Sequence, residues 1–335
     1  MIKTYMMQAG ERAVIELPED VFESTEFSPK DKWFHLQDPT DKDIETIIKL
    51  TGAPEEFLKA PLDEEERARV DVEDGFTLVL VDIPVTEDEE FYYTYSTMPL
   101  GVIVGGDTII TVCLQNTSII NDFIMGRVKG ISIKKRSWFV LKILYSVATK
   151  FLQYLRQIDK ASQRIQNELQ KTIKNTQLVQ LLELQNSLVY FSTSLQANEA
   201  VINKIIRMDV LKKYEEDSEL LEDVHIENQQ AIEMCSIYRN ILSGTMDAFS
   251  SISSNKMNKT MQVLTAITFI ISLPTLIASI FGMNVWVPWQ GEQVGFWITL
   301  GMCVISSVIA VFFLFRKPKQ PKVKKDKKDK TQKRS

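Results

Sequence analysis

Hydrophobic and polar positions change their rhythm twice along the chain. Over residues 1 to about 135 the apolar runs are short and rich in β-branched and aromatic residues. AVIEL (13–17), KWFHLQ (32–37), FTLVLVDIPV (76–85) and MPLGVIVGGDTIITVCL (98–114) are punctuated by Gly, Pro and Asp, which reads as strands. Between them PTDKDIETIIKLTG (39–52) reads as a short helix with Thr40 as its N-cap. From about Ser137 apolar residues recur every three or four positions: Leu144, Val147, Phe151, Leu155, Ile158, and later Cys235, Tyr238, Leu242, Met246, Phe249, Ile252. Gly244 is the only Gly or Pro between 131 and 273, so this stretch predicts long amphipathic helices. The last of them is expected to run unbroken from near Ser218 to Phe281, about 95 Å at ~1.5 Å per residue.

The third rhythm is continuous apolarity. Met261–Phe281 is 21 residues without a charge and Val294–Phe315 is 22. Each is long enough to cross a hydrocarbon core of ~30 Å, and buried helices of soluble proteins rarely stay charge-free that long. About twelve residues join them, so the pair predicts a hairpin with both ends on one side. Lys256 and Lys259 flank the first span, and Arg316, Lys317 and a Lys-rich tail flank the second. The positive-inside rule places these flanks, and both termini, in the cytoplasm. The turn then faces outward, where Trp286, Trp289 and Trp297 suit the interface.

Charge sharpens this picture. Residues 316–335 carry 11 Lys or Arg against Asp326 and Asp329, and Glu292 is the only charge in residues 282–315. With the whole chain at −5, a tail of +9 and the −1 of Glu292 leave −13 on residues 1–281. That acidic body argues against a nucleic-acid partner, which needs a basic face. The N-terminal stretch MIKTYMMQAGERAVIELPED has neither an apolar signal core nor transit-peptide character, which predicts a cytosolic N-terminus. Cys113, Cys235 and Cys303 form no CxxC pair and read as reduced, buried thiols. His35 and His225 lie in unlike contexts, and no GxSxG, P-loop or HExxH is present, so no enzyme is predicted. The acids at Asp63–Glu66 and Glu87–Glu90 read as solvated surface.

The candidate chemistry lies in the first span. Its polar residues are Thr265, Thr268, Ser272, Thr275 and Ser279, spaced 3, 4, 3 and 4 apart, and the same rule extends back to Met261 and Asn258. A 3.5-residue repeat keeps one stripe facing a common axis. In lipid that stripe must face protein or water, so it serves either as helix–helix glue or as a pore lining. Two helices cannot enclose a pore, so the second role needs several copies around an axis. The stripe has hydroxyls and amides but no acid. It suits a cation that keeps its water shell better than a stripped one, and Mg²⁺ holds its shell tenaciously. At the end of the span, Gly282 is expected to release the helix into a left-handed or open geometry that exposes carbonyls. Asn284 adds a neutral side-chain oxygen. Repeated around an axis, these would ring the outer mouth with neutral oxygens, and Glu292 would concentrate cations there.

Phe281-Gly282-Met283-Asn284 closes the penultimate span and is followed by a short outer turn, a second span and a Lys-rich tail. This resembles the signature of the CorA-type magnesium transporters, with Phe where Tyr is usual. ILSGTMDAFSSISSNKMNKTMQVLT (241–265) and WFHLQDPT (33–40) share the resemblance, which covers essentially the whole chain. It implies an α+β membrane protein and homopentamer, with partners limited to its own copies, lipid and the transported ions. A cytoplasmic α/β domain (1–136) would precede a long helical stalk or funnel (137–259). A pore-lining transmembrane helix (260–281), an outer loop with the GMN motif (282–293), a second transmembrane helix (294–315) and a basic cytoplasmic tail (316–335) would follow. The implied activity is Mg²⁺ uptake across the plasma membrane, with Co²⁺ and Ni²⁺ often admitted, and no organic cofactor. By resemblance Asn258, Met261, Leu264, Ser272, Thr275 and Ser279 take pore positions, and Gly282, Met283 and Asn284 form the filter. Leu264 would be a dewetting constriction; at Ser272 the family often has the bulkier Met. The resemblance also implies closure by cytoplasmic Mg²⁺ bound between neighbouring funnels. Asp223, in LLEDVHIENQQA, matches one such acid, with Asp82 or one of Glu87–Glu90 as partner candidates. The competing readings are a zinc exporter of the same superfamily, against which Met283 counts, and a non-transporting helical scaffold with an inert membrane anchor.

Overall fold

The structure is a computed structural model that describes residues 2–7, 14–17, 27–89, 92–171, 175–208, 211, 215–284, 286–289 and 292–315. Glu90 and the basic tail from 316 lie outside these residues, and the side chains of residues 87–89 are not described. The chain forms two compact units, Met1–Asp247 and Ala248–Ser335.

The first unit is built on a seven-stranded sheet. Its strands are β1 (Ile2–Met7), β2 (Val14–Leu17), β3 (Trp33–Gln37), β4 (Arg69–Glu73), β5 (Phe76–Glu89), β6 (Tyr92–Gly105) and β7 (Thr108–Cys113). Their order is β2-β1-β3-β7-β6-β5-β4, and only β3 and β7 pair in parallel. The stretch 98–114 that reads as one apolar run is two strands. The chain reverses at Gly106 and Asp107, both at positive φ, which a continuous strand cannot accommodate.

Alternation along the strands gives the sheet two apolar faces. Phe34, Leu36, Leu78, Leu80, Ile103, Ile110 and Val112 pack under α1 (Asp41–Thr51) and α2 (Glu55–Lys59). Thr40 caps α1 as its sequence predicts, accepting from Asp43 N at 3.3 Å while its own N–H donates to the Asp43 carboxylate at 2.9 Å. On the other face the fully buried Trp33 stacks edge-on against Phe139, ring centres 5.1 Å apart, and gives its Nε1–H to the Thr111 hydroxyl at 2.9 Å. Phe139 belongs to α4 (Arg136–Lys171), which follows the short α3 (Ser118–Ile124). Every member of the Leu144-to-Ile158 stripe is buried.

α5 (Asn175–Met208) lies on β4, β5 and β6 and is bonded to them through polar residues. Ser187 accepts from Tyr95 N at 3.2 Å, and the Ser194 and Thr97 hydroxyls are hydrogen-bonded to each other at 2.9 Å. α6 (Glu215–Phe281) is one helix of 67 residues, confirming the unbroken run into the apolar segment. In its first half Leu220, Leu221, Val224, Ala231, Cys235 and Leu242 form the buried stripe. The stripe reaches Phe249, whereas Ile252 is half exposed at 51%. The Cys235 thiol is raised to about 11 by burial and donates to Leu188 O in α5 at 3.3 Å.

The second unit holds the end of α6 and α7 (Gln293–Phe315). Both are long and apolar enough to cross a membrane, and only 6% and 11% of their apolar windows are buried within the chain. A core helix of a water-soluble fold would be mostly covered, so these surfaces are matched to lipid or to other copies.

Candidate ion-conduction site

The apolar end of α6 has two faces. Ala266, Ile270, Leu273, Pro274, Ile277 and Phe281 are the positions with reduced exposure, and Cys303 of α7 donates its thiol to Pro274 O at 3.6 Å. Thr268, Ser272, Thr275 and Ser279 are exposed, and at 3.6 residues per turn they lie on the opposite side of the helix. The polar row therefore faces away from the second helix of its own hairpin. Asn258, Met261 and Leu264 are exposed as well, Leu264 at 56%. A shallow recess of about 220 Å³ opens from Leu264 past Thr265, Thr268 and Phe269 to Ser272.

The row has a property that spacing alone does not reveal. Thr265 donates to Met261 O at 2.8 Å, Thr268 to Leu264 O at 2.9 Å, Thr275 to Ile271 O at 2.8 Å and Ser272 to Phe269 O at 3.3 Å. A hydroxyl has one proton and two lone pairs. With the proton committed to the helix backbone, each of the four can only accept from outside. Waters bound to a cation point their oxygens inward and their hydrogens outward. An acceptor-only row is complementary to that shell and unfavourable for an anion's shell, whose waters point the other way.

The helix ends differently from the expectation for Gly282. Gly282 is absent from the positive-φ positions; its N–H keeps a helical bond to Ala278 O at 2.9 Å, and Met283 N–H tightens to Ile280 O at 3.3 Å. The helix unwinds through a narrowing last turn rather than a left-handed residue. A Cβ at Gly282 would sit 3.3 Å from Ala278 O, a tight but not forbidden contact. Among the described residues of the turn, Trp289 is left-handed, at φ 61°. Gly282, Met283 and Asn284 are all exposed at the helix end, and so is Glu292. Glu292 N–H donates to Trp289 O at 3.3 Å, and Glu292 O accepts from Gly295 N–H at 3.1 Å.

Asp223 and Asp82 occupy different settings in the first unit. Asp223 is exposed on α6. Asp82 is half-buried on β5, and burial raises its carboxyl above the usual range while a hydrogen bond from Ser194 partly offsets this. Among the described residues no three His, Cys, Asp or Glu side chains gather closely enough to hold a metal within one chain.

An α/β body followed by two uncovered apolar helices, the first bearing a polar row, defines a two-span membrane protein. Residues 30–319 match the family model described as CorA-like Mg²⁺ transporter protein, and the chain belongs to that family. It is 28% identical over 295 residues to the cobalt/magnesium transport protein CorA of Methanocaldococcus jannaschii, covering 85% of this chain and 90% of that protein. The complete structure of the CorA magnesium transporter from the same organism superposes with a TM-score of 0.79 at 25% identity, covering 95% of this chain and 98% of the other. The cobalt/magnesium transport protein CorA of Thermotoga maritima is 27% identical over 194 residues, 57% of this chain and 55% of that protein.

Proposed function

We propose that five copies of the chain surround a membrane pore lined by the polar row of α6. The pore conducts hydrated Mg²⁺ from the outer face into the cytoplasm, down the membrane potential, and admits Co²⁺ and Ni²⁺. The observation that carries this reading is the acceptor-only row at Thr265, Thr268, Ser272 and Thr275 on the face turned away from α7. An inert anchor has no need of such a row, whereas a pore for a hydrated cation does. Gly282, Met283 and Asn284 form the outer filter, Glu292 raises the local cation concentration, and Leu264 narrows the inner path with Asn258 and Met261 below it. Rising cytoplasmic Mg²⁺ closes the pore by binding between Asp223 of one copy and Asp82 of the next. The fold likeness and 25% identity to the complete structure of a CorA magnesium transporter support Mg²⁺ as the cargo.

The test is Mg²⁺ uptake by the purified chain in vesicles, with an inside-negative potential and Co²⁺ or Zn²⁺ as competitor. Uptake driven by the potential and inhibited by Co²⁺ is expected. Proton-coupled Zn²⁺ export without Mg²⁺ uptake would instead identify a zinc exporter, and no flux of either ion would leave an anchor.

A further inference from the structure

We infer that the adjacent residues Asn198 and Glu199 of α5 form a relay joining the strand that carries Asp82 to the helix that carries Asp223. The inference rests on the reading of those two acids as the cytoplasmic Mg²⁺ ligands, and it adds positioning residues that the reading does not include.

β4 pairs with β5 only as far as Arg69 opposite Leu80, so beyond Leu80 the outer edge of β5 has no strand beside it among the described residues. Asn198 takes that place. Its Oδ1 accepts from Asp82 N at 2.9 Å and its Nδ2 donates to Asp82 O at 2.8 Å. At 3% exposure neither group has water to fall back on, so a slip between α5 and β5 at this point would leave buried amides unsatisfied.

The next residue faces the other way along the same helix. Glu199 Oε2 accepts from Asn228 Nδ2 at 2.8 Å, and Oε1 accepts from Gln229 Nε2 at 2.8 Å and from Asn203 Nδ2 at 3.1 Å. His225 Nδ1 also lies 3.1 Å from Oε1. Asn228 is 2% exposed and is held a second time by Leu195 O at 3.2 Å. His225, Asn228 and Gln229 are all on α6, within two turns of Asp223. One dipeptide thus grips the backbone of one acid on one side and the helical segment of the other acid on its other side.

In the ring of five, each copy gives Asp82 to one neighbour and Asp223 to the other. The relay is then the connection inside a copy between one shared Mg²⁺ site and the next, so that filling one site favours filling the following one. Glu199 and Asn198 are positioning residues that make closure steep in Mg²⁺ without binding the ion.

The test uses the full chain in proteoliposomes, with flux measured against internal Mg²⁺. Glu199→Ala and Asn228→Ala are expected to leave flux at zero internal Mg²⁺ unchanged, to flatten the closure curve towards a Hill coefficient of one, and to raise its midpoint several-fold. Glu199→Gln, which keeps an acceptor for the amide donors, retains most of the steepness. If Asp223→Ala closes like the unaltered chain, the reading of the ligands fails. If Asp223→Ala shifts closure while Glu199→Ala and Asn228→Ala keep the normal steepness, the relay is overturned and the ligands stand. Loss of flux at zero Mg²⁺ in both Ala variants would also overturn it, since that would mark a role in holding the fold alone.

Discussion

A Cβ placed on Gly295 would sit 2.6 Å from the carbonyl oxygen of Trp289, so the turn between the two apolar helices rests directly on the first turn of α7. Trp289 has a left-handed backbone at this approach, and Glu292 is hydrogen-bonded to both residues. Gly295→Ala sets a methyl against backbone that cannot rotate away. It is expected to cost roughly 1–3 kcal/mol, as overpacking does, and to displace Glu292 and the filter end. Thermal unfolding in detergent together with vesicle uptake measures this; a variant with unaltered melting and flux would show that the turn is free to move.

Glu292 acts in this account by charge and not by ligation. Glu292→Gln is expected to lower Mg²⁺ uptake by at least about threefold at low ionic strength, with the difference fading as salt shortens the Debye length. Uptake compared in 10 mM and 300 mM salt decides it, and a loss equal in both would point to direct coordination.

His35 couples the stability of the body to pH. Burial lowers its pKa from 6.5 to about 4, opposed by the Thr111 contact and reinforced by Lys3 beside it on β1. Between those values the unfolded chain binds the proton and the folded chain does not. Stability is therefore complete above pH 6.5 and is lost as pH falls towards 4, by about 2 kcal/mol at pH 5. Melting of the first unit at pH 7 and pH 5 should show the loss, and His35→Gln should remove most of it. Equal pH dependence in the two proteins would contradict this.

The spans and the polar row could be read from the chain because lipid penalises any polar group without a partner. Thr265, Thr268, Ser272, Thr275 and Ser279 therefore stand out against their surroundings. The Thr40 capping box is equally local, and its three-residue spacing is its signature. What escaped was either non-local or conformational. Asn198 looks like any polar helix residue until β4 ends short and exposes the edge it covers. Glu199 gathers donors from α6, residues distant in sequence. Gly282 keeps a helical bond to Ala278 O instead of the left-handed conformation its residue type suggests. The hydroxyl bonds to the preceding turn were within reach, since Ser and Thr inside helices commonly donate there.

Those hydroxyls are expected to matter as acceptors. Thr275→Val keeps the shape and removes the oxygen, and it should reduce Mg²⁺ uptake about tenfold, the worth of roughly one hydrogen bond. Thr275→Ser should stay near the original rate. Equal rates for the Val and Ser variants would remove the hydroxyl from the pathway.

The central claim is that this face of α6 borders water and the opposite face does not. With Cys303 replaced by Ser, single cysteines at Ser272, Thr275, Ile270 and Ile277 can be challenged with a charged, water-borne thiol reagent in sealed membranes. The account predicts that Ser272→Cys and Thr275→Cys react and that the reaction blocks Mg²⁺ uptake, while Ile270→Cys and Ile277→Cys, on the face towards α7, stay unlabelled. Labelling at 270 and 277 with none at 272 and 275 would contradict it.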